Sequence, residues 1–193
     1  MKLIIASNNA HKIHEIKQML MGKFEEILSL KDAGVVHETV EDGETFLENA
    51  LKKAREISEI TSCASLADDS GLCVNALGGA PGVYSARFAG ENDPTIRDSA
   101  NNALLLEKLN GASDRGAHFV CAMALVYPDG REVTAEGFMR GNIIDAPKGS
   151  HGFGYDPLFV PVGENRTVSE MSDEEKNLIS HRANALNNLI SKI

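Results

Sequence analysis

The sequence predicts a mixed α/β fold. Three observations carry this: a short apolar run of strand type opens the chain, later apolar residues recur at helical spacing, and two strand-like runs flank a tight-turn signal in the middle. The 193 residues suffice for one domain with a sizeable core, or for two lobes sharing one sheet. No internal repeat, low-complexity stretch or Pro/Ser-rich linker interrupts them, so a single domain spanning 1–193 is the default.

Residues 2–6 (Lys-Leu-Ile-Ile-Ala) read as a buried strand. Ile13, Ile16, Met19 and Leu20 follow at helical spacing and predict a helix over about 11–22. Residues 25–30 suit a second strand. A turn at Glu41-Asp42-Gly43 leads into a second helix, whose apolar face is Phe46, Leu47, Ala50, Leu51, Ala54 and Ile57, with Thr45 as N-cap. Residues 66–74 look like a strand interrupted by Asp68-Asp69-Ser70-Gly71, followed by a Gly/Pro-rich loop at 78–82. A third helix is expected over about 94–109. Residues 119–127 and 132–140 flank Pro128-Asp129-Gly130 and predict a hairpin. One last helix starts near Ser172, where Ser172 and Glu175 form a capping-box pattern, and it continues through Arg182.

Composition removes several classes of function. A formal charge of −9 argues against a general nucleic-acid binder, because phosphate backbones are held by basic surfaces. It leaves room for a small phosphorylated ligand held by a few cations and a metal. Cys63, Cys73 and Cys121 have no C-x-x-C spacing and give neither a disulfide framework nor a zinc site. No apolar run approaches the roughly 20 residues needed to span a bilayer, so no membrane partner is expected. The opening run is apolar for only four residues before Ser7-Asn8-Asn9. It therefore reads as a strand rather than a signal peptide, and the cytoplasm is the expected location.

Four segments could carry chemistry. Ser7, Asn8, Asn9, Ala10, His11 and Lys12 form a polar loop entering a helix N-terminus, where backbone N–H groups suit phosphate and Lys12 adds a charge. The plainer reading is an Asn/Ser cap beside a surface lysine. Asp68 and Asp69 lie inside an apolar run, where two carboxylates are costly unless something positive neutralises them. Magnesium would do so, and one of the pair could then take a proton from an attacking water. The alternative is a polar turn between strands. Glu41 sits in an acidic run that is ordinarily a solvated loop, but a magnesium site needs further oxygens. Gly152-Phe153-Gly154-Tyr155-Asp156-Pro157 could bring backbone close to a ligand and stack Phe153 on a planar ring, or could be an aromatic turn packed on the core. Lys176, His181 and Arg182 could donate to phosphate or a base carbonyl, against the plainer reading of a solvated helix face.

Taken in order, these segments resemble a known family. Ser7-x-Asn9-x-x-Lys12-x-x-Glu15, Ala67-Asp68-Asp69-Ser70-Gly71-Leu72, Leu77-Gly78-Gly79-Ala80-Pro81-Gly82-Val83-Tyr84-Ser85-Ala86-Arg87, Gly152-Phe153-Gly154-Tyr155-Asp156-Pro157 and Glu174-Glu175-Lys176-Asn177-x-x-Ser180-His181-Arg182 are similar to motifs of the inosine triphosphate pyrophosphatase family, also called the Ham1 family. The resemblance runs from residue 3 to about 190 and shows no departure at these motifs. It implies an elongated α/β fold of two lobes around a long mixed sheet flanked by helices, with the active-site cleft between the lobes, and a homodimer. It also implies a magnesium-dependent enzyme that removes deaminated purine nucleotides, converting ITP, dITP or XTP to the monophosphate and pyrophosphate.

The resemblance further implies that Ser7 to Lys12 bind the triphosphate and that Glu41 and Asp69 hold magnesium. Asp69 would be the base with Asp68 beside it. Lys53 and Ser70 would touch the nucleotide, while Phe153, Gly154, Tyr155, Asp156, Lys176, His181 and Arg182 would cover the purine and sugar-phosphate side. Two other readings compete: a Maf-type nucleotide pyrophosphatase acting on other bases, and a non-catalytic nucleotide-binding protein. The latter would not need Glu41, Asp68 and Asp69 together.

Overall fold

Alternating residues of the first strand serve two different cores, and this sets the architecture. In β1 (Lys2–Ile5), Leu3 and Ile5 join one apolar cluster and Ile4 joins another. A strand with apolar residues on both faces belongs inside a sheet covered on both sides. The computed structural model describes residues 2–193 and bears this out. Its sheet has six strands, β1, β2 (Glu26–Ser29), β3 (Ala64–Val74), β4 (Gly116–Val126), β5 (Glu132–Ile143) and β6 (Phe159–Pro161). Their order is β2-β1-β3-β4-β5-β6. β1 pairs in parallel with β2 and with β3, whereas β5 and β6 are antiparallel, so the sheet is mixed as expected. Helices α1 (Ala10–Met19), α2 (Phe46–Thr61), α3 (Arg97–Lys108), α4 (Asp173–Ile179) and α5 (His181–Ile190) accompany it. Among the described residues, no helix is long and apolar enough to cross a membrane.

The chain divides into two compact units. The first runs to Asp69 and adds Cys121–Gly137 and Arg182–Ile193; the second comprises Ser70–Val120 and Phe138–His181. In the first unit, Ile16 and Leu20 of α1 and Ala185, Leu186 and Leu189 of α5 pack on Leu3, Ile5, Leu66, Met123 and Leu125. Ala50, Ala54 and Ile57 of α2 pack with Ile4, Ala67, Ala124 and Val126. In the second unit, Leu105 and Leu109 join Leu72, Val74, Phe119, Met139, Tyr155 and Phe159.

Local signals behave as the sequence suggests where capping decides. Thr45 accepts from the Glu48 N–H in a complete capping box, and Ser172 does the same with Glu175. Three expectations need correction. The strand at 66–74 is not interrupted: β3 runs unbroken through Asp68-Asp69-Ser70-Gly71, because cations at the strand satisfy the carboxylates, as described below. The third helix begins at Arg97 rather than 94, since the Asp93 carboxylate takes the N–H and hydroxyl of Thr95 and holds this stretch in a turn. The last helix is two helices. Ser180 adopts extended backbone (φ −65°, ψ 152°) and separates α4 from α5, so that His181 and Arg182 reach different partners. The strand β6 has no counterpart in the sequence reading, three residues being too short for a periodicity.

Gly141 is required by the β5–β6 pairing. A Cβ there would lie 2.3 Å from the Val160 carbonyl oxygen and 2.6 Å from the Phe159 ring. Gly141→Ala should therefore lower stability by about 1–3 kcal/mol, the usual range for overpacking. A urea-unfolding midpoint equal to that of the parent would refute the close approach.

Candidate active site

The first unit gathers acids and cations around β3. Asp68 is buried and its Oδ2 accepts from Lys12 Nζ at 3.1 Å and from Arg182 Nη2 at 3.1 Å and Nε at 3.3 Å. Arg182 is itself wholly buried, and its Nη1 donates to Glu15. Burial works against ionisation of Asp68, yet Lys12, Arg182 and Lys53 outweigh it and hold the carboxyl below the usual carboxylate range. Asp68 is thus a fixed anion whose charge is already spent on its neighbours.

Asp69, the next residue, is shifted in the opposite direction. Its Oδ1 lies 3.8 Å from Lys53 Nζ and its Oδ2 accepts from Asn49 Nδ2 at 3.0 Å. Burial pushes this carboxyl above the usual range; Lys53 and Lys12 oppose the rise and Glu41 adds to it. Lys53 also donates to Glu41 Oε1 at 2.5 Å. Burial disfavours the Lys53 charge, but Asp69, Glu41 and Asp68 together overcome that and raise its pKa. Four carboxylates (Glu15, Glu41, Asp68, Asp69) therefore meet three cations (Lys12, Lys53, Arg182).

Chain geometry explains the convergence. Asn49 and Lys53 are one helical turn apart on α2 and share its core-facing side. Asn49 Oδ1 also accepts the Gly43 N–H at 2.8 Å, which ties the turn carrying Glu41 to the same helix. At the start of α1, Asn9 caps the helix, its Oδ1 accepting from the N–H groups of His11 at 3.0 Å and Lys12 at 3.2 Å. Ser7 Oγ accepts the Asn9 N–H at 3.2 Å, and Asn8 Nδ2 donates to the His37 carbonyl at 3.1 Å. Ala10 is the first residue of α1, and Lys12 Nζ reaches Asp68 of β3. The Asn cap and the cationic site thus coexist.

The second unit holds a separate set. Asp156 and Lys176 form a buried ion pair, Nζ to Oδ2 at 2.9 Å, and Asp156 Oδ2 also accepts the Phe153 N–H at 3.1 Å. Lys176 Nζ lies 4.7 Å from the Phe153 ring centre. Gly152 has φ +77° and faces Asp156 so closely that a Cβ would stand 2.3 Å from Oδ2. The Gly154 N–H donates to Asp98 at 2.7 Å and its carbonyl accepts from Asn102 at 2.9 Å, while the Tyr155 hydroxyl donates to the Ser85 carbonyl at 2.8 Å. His181 stacks on Phe119 with centres 4.8 Å apart and an interplanar angle of 14°. Ser70 follows Asp69 directly on β3.

The expectation for Arg182 changes. Read as a donor to a base carbonyl, its guanidinium is instead committed to Asp68 and Glu15, and reaching a base requires that arrangement to open. For magnesium, no group of three or more His, Cys, Asp or Glu side chains suited to a metal occurs among the described residues. Two carboxylates, Glu41 and Asp69, do converge on one ammonium group, Lys53 Nζ. Two hard oxygen ligands are what magnesium takes from protein when phosphates supply the rest, so the donor set fits. Asn49, Asp98 and Asn102 were missed. Asn49 left a trace, as a polar residue beside Lys53 on the inner side of an amphipathic helix; Asp98 and Asn102 left none.

The fold is that of an α/β protein whose sheet carries a buried cluster of acids and cations at Asp68 and Asp69. The Ham1 family model matches residues 3–192, and the chain belongs to that family. It is 51% identical over 193 residues to the dITP/XTP pyrophosphatase of Exiguobacterium sp. (strain AT1b), covering 100% of this chain and 97% of that one. It is 47% identical over 196 residues to the dITP/XTP pyrophosphatase of Clostridium perfringens, covering 97% and 95%. Among solved structures, the Staphylococcus aureus Ham1 protein superimposes with a TM-score of 0.88 at 39% identity, covering 100% of this chain and 97% of its own. The nucleoside-triphosphatase / dITP/XTP pyrophosphatase of Mycobacterium abscessus gives 0.78 at 47% identity, covering 98% and 99%. This membership decides against the Maf-type alternative.

Arg182→Ala leaves Asp68 and Glu15 buried without their shared cation. It should destabilise the protein by about 3–5 kcal/mol, the usual result of deleting one partner of a buried ion pair. Denaturant unfolding within about 1 kcal/mol of the parent would show that the network is not stabilising.

Proposed function

We propose that the protein hydrolyses deaminated purine nucleoside triphosphates (ITP, dITP and XTP) to the monophosphate and pyrophosphate, clearing them from the nucleotide pool. One observation carries the mechanism: of two adjacent carboxylates on β3, Asp68 is bonded directly to Lys12 and Arg182, whereas Asp69 lies 3.8 Å from Lys53 and its affinity for a proton is raised by burial and Glu41. Family membership and the relatives' names support the substrate class.

In this reading Lys12 and the Ser7–Lys12 loop hold the triphosphate, and Lys53 and Lys176 add charge against the departing group. Asp69 accepts a proton from a water whose oxygen attacks the α-phosphorus in line. A P–O bond forms to that oxygen as the bond from the α-phosphorus to the α–β bridging oxygen breaks. Pyrophosphate leaves with that electron pair. Asp68 does not take part as base; it fixes Lys12 and Arg182. Magnesium, held by Glu41 and Asp69 with phosphate oxygens, would supply charge compensation at the triphosphate. Ser70 touches the nucleotide, and Phe153, Gly154, Tyr155 and Asp156 serve the base and sugar. His181, the first residue of α5, donates to the base carbonyl. Adenine carries an amine at that position, leaving such donors unsatisfied at roughly 1–3 kcal/mol per group. The homodimer and the cytoplasmic location belong to the same proposal and rest on family membership.

Asp69→Asn should lower kcat by roughly 100- to 10,000-fold, the range for loss of a general base. Its thermal midpoint should not fall, because the acids of the cluster outnumber its cations by one and the substitution removes that excess. Near-parental turnover would remove Asp69 from the mechanism. In a panel of ITP, XTP, dITP, GTP and ATP with magnesium, the first three should release pyrophosphate faster than ATP. Equal rates on ATP and ITP would defeat the account of selectivity, and orthophosphate as the product would defeat the point of attack.

A further inference from the structure

The helix α3 lies far in sequence from the Phe153 loop yet holds it. Asp98 and Asn102 are four residues apart, so they share one face of α3. Asp98 Oδ2 accepts the Gly154 N–H at 2.7 Å, and Asn102 Nδ2 donates to the Gly154 carbonyl at 2.9 Å. The N–H belongs to the peptide joining Phe153 to Gly154, and the carbonyl to the one joining Gly154 to Tyr155. Holding both peptide planes fixes the backbone on either side of Gly154 and, through it, the direction of the Phe153 side chain. The acceptor is a carboxylate, which makes the first bond a charge-assisted one.

Two further observations mark this contact as more than packing. Asn102 is buried, and its Oδ1 has no hydrogen-bond partner among the described residues. An apolar residue would avoid that loss, so the amide is kept for the bond its nitrogen makes. Tyr155, next along the loop, is also near Asp98: burial first and then the Asp98 charge push its phenol up. From the other side Asp156 takes the Phe153 N–H and Lys176 lies against the ring. The loop is therefore held both by Asp156, at the Phe153 N–H, and by α3, at Gly154.

We propose that Asp98 and Asn102 are positioning residues for nucleoside recognition, clamping Gly154 so that the Phe153 ring is set to stack on the purine. This rests on the assignment of Phe153 to the base made above. Neither residue touches the reacting phosphate, so their loss should act on binding rather than on the chemical step.

The test compares Asp98→Ala, Asp98→Asn, Asn102→Asp, Phe153→Ala and the Asp98→Ala/Phe153→Ala pair in steady-state hydrolysis of ITP. Asp98→Ala and Asn102→Asp should each raise KM by about tenfold, as expected for one hydrogen bond involving a charged group, with kcat changed less than about twofold. Asp98→Asn keeps an acceptor oxygen in place and should restore most of the loss. In the Phe153→Ala background, Asp98→Ala should add less than about twofold, because it acts through that ring. A KM raised by Phe153→Ala but not by Asp98→Ala or Asn102→Asp would overturn the clamp while leaving the base assignment intact. A KM unmoved by Phe153→Ala would overturn the base assignment and the clamp with it. If Asp98→Ala does not fold, Asn102→Asp and Asp98→Asn carry the same comparison. A lowered thermal midpoint with an unchanged KM would reduce the contact to a structural one.

Discussion

β3 carries Asp68 and Asp69 side by side into the interior of the protein, and the rest of the first unit is arranged around what that requires. A buried carboxylate without compensation would protonate or drive the strand apart. Lys12 comes from the first turn of α1, Lys53 from the middle of α2 and Arg182 from the start of α5. Each of the three helices packed on this part of the sheet thus contributes one cation to the same strand. With Glu15 and Glu41 included, the acids still outnumber the bases by one. Asp68 is bonded to both Lys12 and Arg182 while Asp69 lies 3.8 Å from Lys53, and the proposed division of roles between the two rests on this inequality.

The second unit solves a smaller version of the same problem. Lys176 and Asp156 are both buried and pair at 2.9 Å. A buried pair of this kind contributes little net stability compared with apolar residues, but it fixes geometry. Here it fixes the loop bearing Phe153, whose N–H shares the Asp156 oxygen that Lys176 uses. Gly152 is needed because any side chain there would enter the space of that carboxylate. A cation, an aromatic face and a tightly held backbone together suit a planar, polar-edged ligand such as a purine.

Much of this was legible in the sequence. The opening strand, the Thr45 cap, the capping box at Ser172 and the central pair of strands follow from local pattern and turn chemistry. The acids and lysines of the site stand out because charge inside apolar runs is expensive. What was hidden is instructive. Asp68-Asp69-Ser70-Gly71 looks like a turn by composition, yet it is strand, because cations far away in sequence neutralise it. The sequence reads as one helix from Ser172 through Arg182, but Ser180 is extended and separates α4 from α5. Arg182 looked like a surface donor for the same reason that Asp98 and Asn102 looked unremarkable: their partners are 50 to 170 residues distant, and no local pattern encodes them.

In the proposed function the triphosphate would add negative charge to a cluster that already carries an excess, and magnesium would supply the compensation. Release of pyrophosphate from ITP by metal-stripped protein, followed during titration with magnesium, tests this most directly. Turnover should be absent in excess chelator and return as magnesium saturates. Undiminished pyrophosphate release in the chelator would contradict the requirement and, with it, the division of labour between Asp68 and Asp69.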